Sequence, residues 1–198
     1  MNNMIVRMIG SVLLIGLAAV ISGLAQSGRQ TYTGTVVSYG SGFNTRTSTN
    51  TFTLIVNGET PENEVGRLVS ILQEDGQDRL QDAVRKNDLG SFAVGGRVGR
   101  TLNAVVIDEV DGRRRIRALF ERWIRFGEIR GGYRSMDYPF GYIELFVDPR
   151  TGRGEGTLIE AAQIRWKRDR NSNQYVVEIE NFATYPARLM GVNLRGRG

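Results

Sequence analysis

The sequence predicts an α+β protein, mostly antiparallel β: a curved or barrel-like sheet of eight or nine strands with a helical hairpin inserted after the second strand. Three observations carry this reading. From Thr31 onward apolar and polar residues alternate over runs of roughly five to nine residues, the period of half-buried strands. Gly, Asn and Asp punctuate those runs where tight turns belong. One stretch, about 61–86, switches to the helical period.

The elements follow in order. Thr31–Tyr39 is a Thr/Val/Tyr strand, Gly40–Thr49 a polar loop, and Asn50–Asn57 a strand with Phe52, Leu54 and Val56 on one face. Thr60 is placed to cap a helix, with Pro61 at its first position and Glu62 and Glu64 in the first turn, where the helix dipole favours acids. Val65, Leu68, Val69 and Leu72 recur at i, i+3, i+4 and i+7, one apolar stripe. Gly76 stops that helix, and a shorter one at about Gln77–Lys86 offers Leu80, Ala83 and Val84 to the core. Strands return at Ser91–Val98 and Asn103–Val110.

Asp111-Gly112 then favours a type I′ hairpin turn. Pairing outward from it sets Glu109 opposite Arg114, Asp108 opposite Arg115 and Ile107 opposite Ile116, so that unlike charges face one another. Ile116, Leu119, Phe120 and Trp123 also fit a helix, and the turn decides for a strand. Tyr138–Val147, Gly156–Lys167, Tyr175–Asn181 and Ala187–Leu194 complete the sheet, with Glu178 and Glu180 in reach of Arg165 and Lys167. Two packed sheets are the alternative to a barrel.

Ahead of this single domain, residues 26–198, residues 1–25 read as a signal peptide. Arg7 supplies the positive start, Val12–Ile21 the apolar centre, and Gly23 and Ala25 the small residues that precede cleavage. The rival is an uncleaved anchor, but the run is diluted by Gly10, Ser11, Gly16, Ser22 and Gly23 and lacks a basic stop. The expected location is therefore extracytoplasmic, periplasmic or secreted, with the membrane met only through this segment before cleavage.

Composition excludes several chemistries. The chain has no Cys and no His, which removes disulfides, thiolate and imidazole nucleophile systems, and His-based metal sites. No metal and no cofactor is expected. The net charge of +5 is almost entirely arginine, Lys86 and Lys167 being the lysines. A basic surface of that kind suits an anionic envelope component, while Arg113-Arg114-Arg115 and the Arg195-Gly196-Arg197 tail are too slight to indicate nucleic acid.

Several motifs together resemble an uncharacterised set of exported bacterial proteins, chiefly of Acidobacteria. They are Asp75-Gly76-Gln77-Asp78, the run from Leu119 ending in Ile124-Arg125-Phe126-Gly127-Glu128, Arg134-Ser135-Met136-Asp137-Tyr138, and Gly154-Glu155-Gly156 leading to Ala161-Ala162-Gln163. The resemblance covers about Phe52 to Ala183. It implies export and a shared fold, and brings with it no activity, cofactor or catalytic residue.

Gly95-Gly96-Arg97-Val98-Gly99-Arg100 lacks phosphate-loop spacing and reads as a bulged or twisted strand. No Ser sits in a nucleophile elbow or at Ser-x-x-Lys spacing. Carboxylates are the remaining acid–base groups. Glu160 falls on the apolar face with Leu158, Ala162, Ile164 and Trp166, and Arg122 falls among Phe120, Ile124 and Phe126. Inward charges need partners, so Arg122 and Glu160 are a candidate pair at a barrel mouth, unless a bulge turns both to solvent. The aromatic stretch Gly131–Tyr142 offers Tyr133, Arg134, Asp137 and Tyr138 as candidate ligand-binding residues, or as rings entering the core. These features favour a non-enzymatic binding or structural module. The alternatives are a carboxylate-based enzyme acting on an envelope or polymeric substrate, and a surface-assembly component with an exposed strand edge.

Overall fold

The computed structural model describes residues 28–39, 46–122, 130, 134–168, 175–183 and 185–195, so the expected signal peptide at 1–25 and Tyr133 lie outside the described residues. Its elements are β1 (Gln30–Ser38), β2 (Ser48–Val56), α1 (Glu62–Val84), β3 (Gly90–Val94), β4 (Arg100–Val110), β5 (Arg113–Glu121), a 3-10 turn (Arg134–Asp137), β6 (Phe140–Val147), β7 (Arg153–Arg168), β8 (Tyr175–Asn181) and β9 (Ala187–Arg195).

Turn chemistry and alternation set the sheet. Asp111 and Gly112 take φ of 51° and 71°, as a type I′ turn requires, and β4 pairs with β5 in the expected register of Ile107 with Ile116. Gly95 and Gly96, at φ of 62° and 70°, end β3 at Val94, short of the Val98 that alternation suggests. Every pairing is antiparallel, and the order β6-β5-β4-β3-β2-β1-β9-β7 closes when β7 pairs back onto β6. The result is an eight-stranded barrel, which leaves those strands no open edge. Its interior holds Tyr32, Val36, Leu54, Leu102, Val105, Ile116, Ile143, Leu145, Leu158 and Leu189.

The sixteen-residue β7 is too long for the barrel. Arg153–Leu158 pairs with β9, while Ala162–Arg168 pairs with β8 instead. β7 and β8 therefore leave the barrel as a two-stranded ribbon. Where it departs, Phe140 pairs with Ala162 and Tyr142 with Ile159, three steps along β7 against two along β6. That bulge reverses the faces: Leu158 points into the barrel, while Ile159, Ala162 and Ile164 join a second core.

α1 makes that second core. The sequence predicts two helices; the structure has one helical element whose non-helical residue is Gly76, at φ 81° and ψ −171°. A straight helix of this length would run ~34 Å. Instead its two ends meet neighbouring residues of β4: Thr60 N donates to Val105 O at 2.7 Å, and Leu89 N to Leu102 O at 2.9 Å. The helical path is interrupted at Gly76, where a side chain would resist the positive φ. Leu68, Leu72, Leu80 and Val84 cover Phe140, Tyr142, Ile159, Ala162 and Ile164 on the outer wall and ribbon. The expected Thr60 cap is not made. Pro61 is the N-cap residue, and the Thr60 hydroxyl accepts from Val105 N at 2.9 Å. A buried β4 backbone group offers that hydroxyl a stronger claim than an exposed helix end that water can solvate.

Candidate functional site

At one end of the barrel the C-terminal ends of β1, β3 and β5 meet the N-terminal ends of β2, β4, β6 and β9, with the β7 bulge beside them. Most of the residues singled out from the sequence fall here. Gly141 leaves room for the Phe120 ring, which a Cβ would meet at 2.1 Å. Past Phe120 the chain reaches Arg122, whose backbone N–H donates to Pro139 O at 3.0 Å. Its guanidinium donates to the carbonyls of Ser135 and Tyr138. Gln77, next to the α1 bend, donates to Asp137 O and accepts from Ile164 N, both at 3.0 Å. Segment 134–139 is thus pinned by β5, α1 and the ribbon.

The four residues nominated for ligand binding divide. Tyr138 is 3% exposed; its hydroxyl donates to Glu180 Oε1 at 2.6 Å, and its ring meets Phe182 edge-on at 5.2 Å between centroids. Burial, then the Glu180 contact, push its hydroxyl above the ordinary tyrosine value. Arg134 and Asp137 are exposed on the same short turn. Tyr133 lies outside the described residues.

Arg122 and Glu160 are also placed apart in role. Glu160 is exposed at the bulge and accepts from Ser38 Oγ of β1 at 3.2 Å, whereas Arg122 is half-buried and turned to the 134–139 carbonyls. Glu160 is not an inward charge, because the bulge ends the alternation that would have buried it. Two other carboxylates nearby are likewise engaged: Glu180 with Arg165 at 3.3 Å, and Glu121 with Gln81 and Arg85.

Around Glu160 stand three rings that alternation does not single out. Tyr39, Phe182 and Tyr185 are 42%, 49% and 50% exposed. Tyr39 and Tyr185 meet edge-on at 6.4 Å, and Phe182 N donates to Ala161 O at 3.0 Å, next to Glu160. Tyr39 and Phe182 directly follow β1 and β8, and Tyr185 stands two residues ahead of β9. Their sequence signal is aromatic residues placed just where a chain leaves or rejoins the sheet. Together with Ser38 and Glu160 they make up a rim in which Tyr39 and Tyr185 add polar tips to apolar faces, while the Phe182 ring rests on Tyr138.

A second cluster lies on the outer wall. Asp108 of β4 bridges Arg115 and Arg117 of β5, with Arg115 Nε donating to Oδ1 at 2.8 Å and Arg117 at 3.1 Å from Oδ2. Glu144 of β6 pairs across from Arg117 in the ladder, is 6% exposed, and has Arg115 at 4.0 Å. The Arg115 contact holds Asp108 below the usual carboxylate range, while burial pushes Glu144 above it. Burial also raises the neighbouring Tyr142 hydroxyl well above its ordinary value.

Among the described residues no group of three or more His, Cys, Asp or Glu is placed to hold a metal, and no helix is long and apolar enough to cross a membrane. Comparison with protein-family models, curated proteins and solved structures finds no match.

Proposed function

We propose that the protein is an exported, non-enzymatic binding module that engages a cell-envelope polysaccharide through the aromatic rim at the barrel end. The observation that carries this is the grouping of Tyr39, Phe182 and Tyr185, each about half exposed, around the Ser38–Glu160 contact. Exposed rings stack on sugar faces, and neighbouring hydroxyl and carboxylate groups bond sugar hydroxyls. Solitary exposed aromatics need no explanation, but a contiguous set does. Arg134 extends the same end with a cation that suits an anionic polymer, and Asp137 with an acceptor for hydroxyls. Glu160, Glu180 and Glu121 near the rim are engaged by Ser38, Tyr138, Arg165, Gln81 and Arg85, which favours holding a ligand over acid–base work. In this reading α1 acts as a helical hairpin folded at Gly76, whose Gln77 steadies the 134–139 turn.

Retention on insoluble peptidoglycan and on anionic envelope polysaccharide tests the rim. Tyr39→Ala and Tyr185→Ala should leave stability within about 0.5 kcal/mol and lower retention several-fold. Tyr138→Ala should instead cost ~3 kcal/mol or more, as a core ring does. Retention by the two rim variants equal to the parent's on every polymer that retains it overturns the rim. The 1–25 pattern supports export: the chain recovered outside the cytoplasm should begin at or near Gln26 by intact mass. An intact Met1 in the membrane fraction would contradict cleavage.

A further inference from the structure

We propose that the outer edge of β8 is a self-association surface, pairing antiparallel with β8 of a second copy about a two-fold axis through Val177. Among the described residues β8 pairs with β7 alone, so one row of its backbone groups has no partner strand. The hydrogen-bond phase identifies that row. Phe182 N donates to Ala161 O, one step past the Ala162–Asn181 pair. Antiparallel pairs alternate between bonded and non-bonded, so Val176, Glu178 and Glu180 direct their N–H and C=O groups to β7. Those of Tyr175, Val177 and Ile179 point outward.

A second copy of the same strand matches this row. Centring the axis on Val177 sets Val177 opposite Val177 and Tyr175 opposite Ile179, all of them outward-directed, so each such pair exchanges two backbone hydrogen bonds. Charge disfavours the register shifted toward Asn181. With Val177 central, Glu178 faces Val176 of the second copy. Shifting the centre to Glu178 sets two carboxylates against each other at the closer, non-bonded spacing, which is unfavourable.

Exposure supports the same partner. Tyr175 is 56% exposed although stacked on Trp166, with centroids 5.8 Å apart and planes within 5°. In this register Tyr175 lies beside Ile179 of the second copy, a residue already packed against that copy's α1 core. The arrangement covers an exposed ring and satisfies an exposed edge together. It also extends two ribbons into one four-stranded sheet.

Sedimentation velocity of the purified protein over a dilution series, with amide hydrogen exchange at both ends of it, tests the proposal. A monomer–dimer equilibrium is expected, in which the Tyr175, Val177 and Ile179 amides gain protection with concentration. The Val176, Glu178 and Glu180 amides should be protected throughout. Val176→Glu faces Lys167 within its own chain and Glu178 of the second copy, so it should preserve the fold by circular dichroism and weaken the dimer by about tenfold or more. Val177→Pro removes an outward N–H and no bond to β7, and should abolish the dimer. A protein that is monomeric up to about 1 mM overturns the proposal. So does a dimer that leaves the outward amides unprotected, or one that Val176→Glu does not weaken.

Discussion

Glu144 is a carboxylate held on the outer barrel wall where water scarcely reaches it, and the groups facing it decide how it titrates. Asp108 comes from β4, Arg115 and Arg117 from β5, and Tyr142 from its own strand. Arg115, the nearer cation, is already committed to Asp108 and stands 4.0 Å from Glu144; Arg117 Nε is buried without a hydrogen-bond partner. Desolvation therefore outweighs attraction, and the folded protein holds the Glu144 proton more tightly than the unfolded chain does. The linkage follows from that direction. Its contribution to stability is fully present below the unfolded carboxylate value, roughly 4.3, and is lost as pH rises through the folded value. Asp108 acts oppositely: its folded value is depressed, so its contribution is present above the unfolded value and lost on acidification. Glu144→Gln should accordingly flatten the upper part of the pH–stability profile, with a melting temperature at pH 7 equal to or above the parent's and convergence near pH 4. A difference of ~1 kcal/mol would read as about 2–4 °C in a chain of this size. A Glu144→Gln protein clearly less stable than the parent at pH 7 would mean that the Arg115 and Arg117 contacts outweigh burial.

At the scale of elements, what the sequence disclosed depended on whether the deciding interaction was local. The Asp111-Gly112 hairpin was legible because two residues set both the turn and the register, and the structure repeats the pairing of Ile107 with Ile116. The stripe of Val65, Leu68, Val69 and Leu72, and the run of Leu80, Ala83 and Val84, were legible from spacing, and Leu68, Leu72, Leu80 and Val84 of them are buried. The ion pairs of Glu178 with Lys167 at 2.9 Å and Glu180 with Arg165 at 3.3 Å were legible as cross-strand neighbours. What escaped was set from a distance. Thr60 is drawn to Val105, forty-five positions away, and so does not cap α1. The β7 bulge has no Gly of its own to announce it; it arises where β7 leaves the barrel and passes from β9 to β8. That bulge separates the two readings of Glu160, inward charge or turned to solvent, since one extra residue exchanges the faces of a strand. Asn103 is similar. It occupies the β4 bulge, 4% exposed, donating to Asn87 O at 3.1 Å and accepting from Glu121 N at 2.9 Å. Nothing near it in sequence requires an amide there. The rim aromatics were missed for the same reason, because strand ends separated by well over a hundred residues meet only when the barrel closes.

Over the whole molecule, the question is whether barrel and helix layer form one cooperative unit. The barrel interior and the α1 core do not share side chains, yet they share strands. Ile143 and Leu145 of β6 and Leu158 of β7 fill the barrel, while Phe140, Tyr142, Ile159 and Ala162 of the same strands fill the second core. The β6–β7 pairing that carries both sets is also the one that closes the barrel. α1 is tied to that unit at each end through β4 and in its middle through Gln77, so releasing it exposes one wall of the closing strands. The two cores should therefore melt together. Leu145→Ala in the barrel and Leu72→Ala under α1 should each lower stability by about 2–5 kcal/mol, the usual cost of removing a buried leucine side chain. Both should shift a single transition, seen at the same midpoint by far-UV and near-UV circular dichroism. If Leu72→Ala instead produces an early transition that removes helical signal and leaves the barrel's near-UV spectrum intact, the helix layer is a separate unit resting on an independently stable barrel.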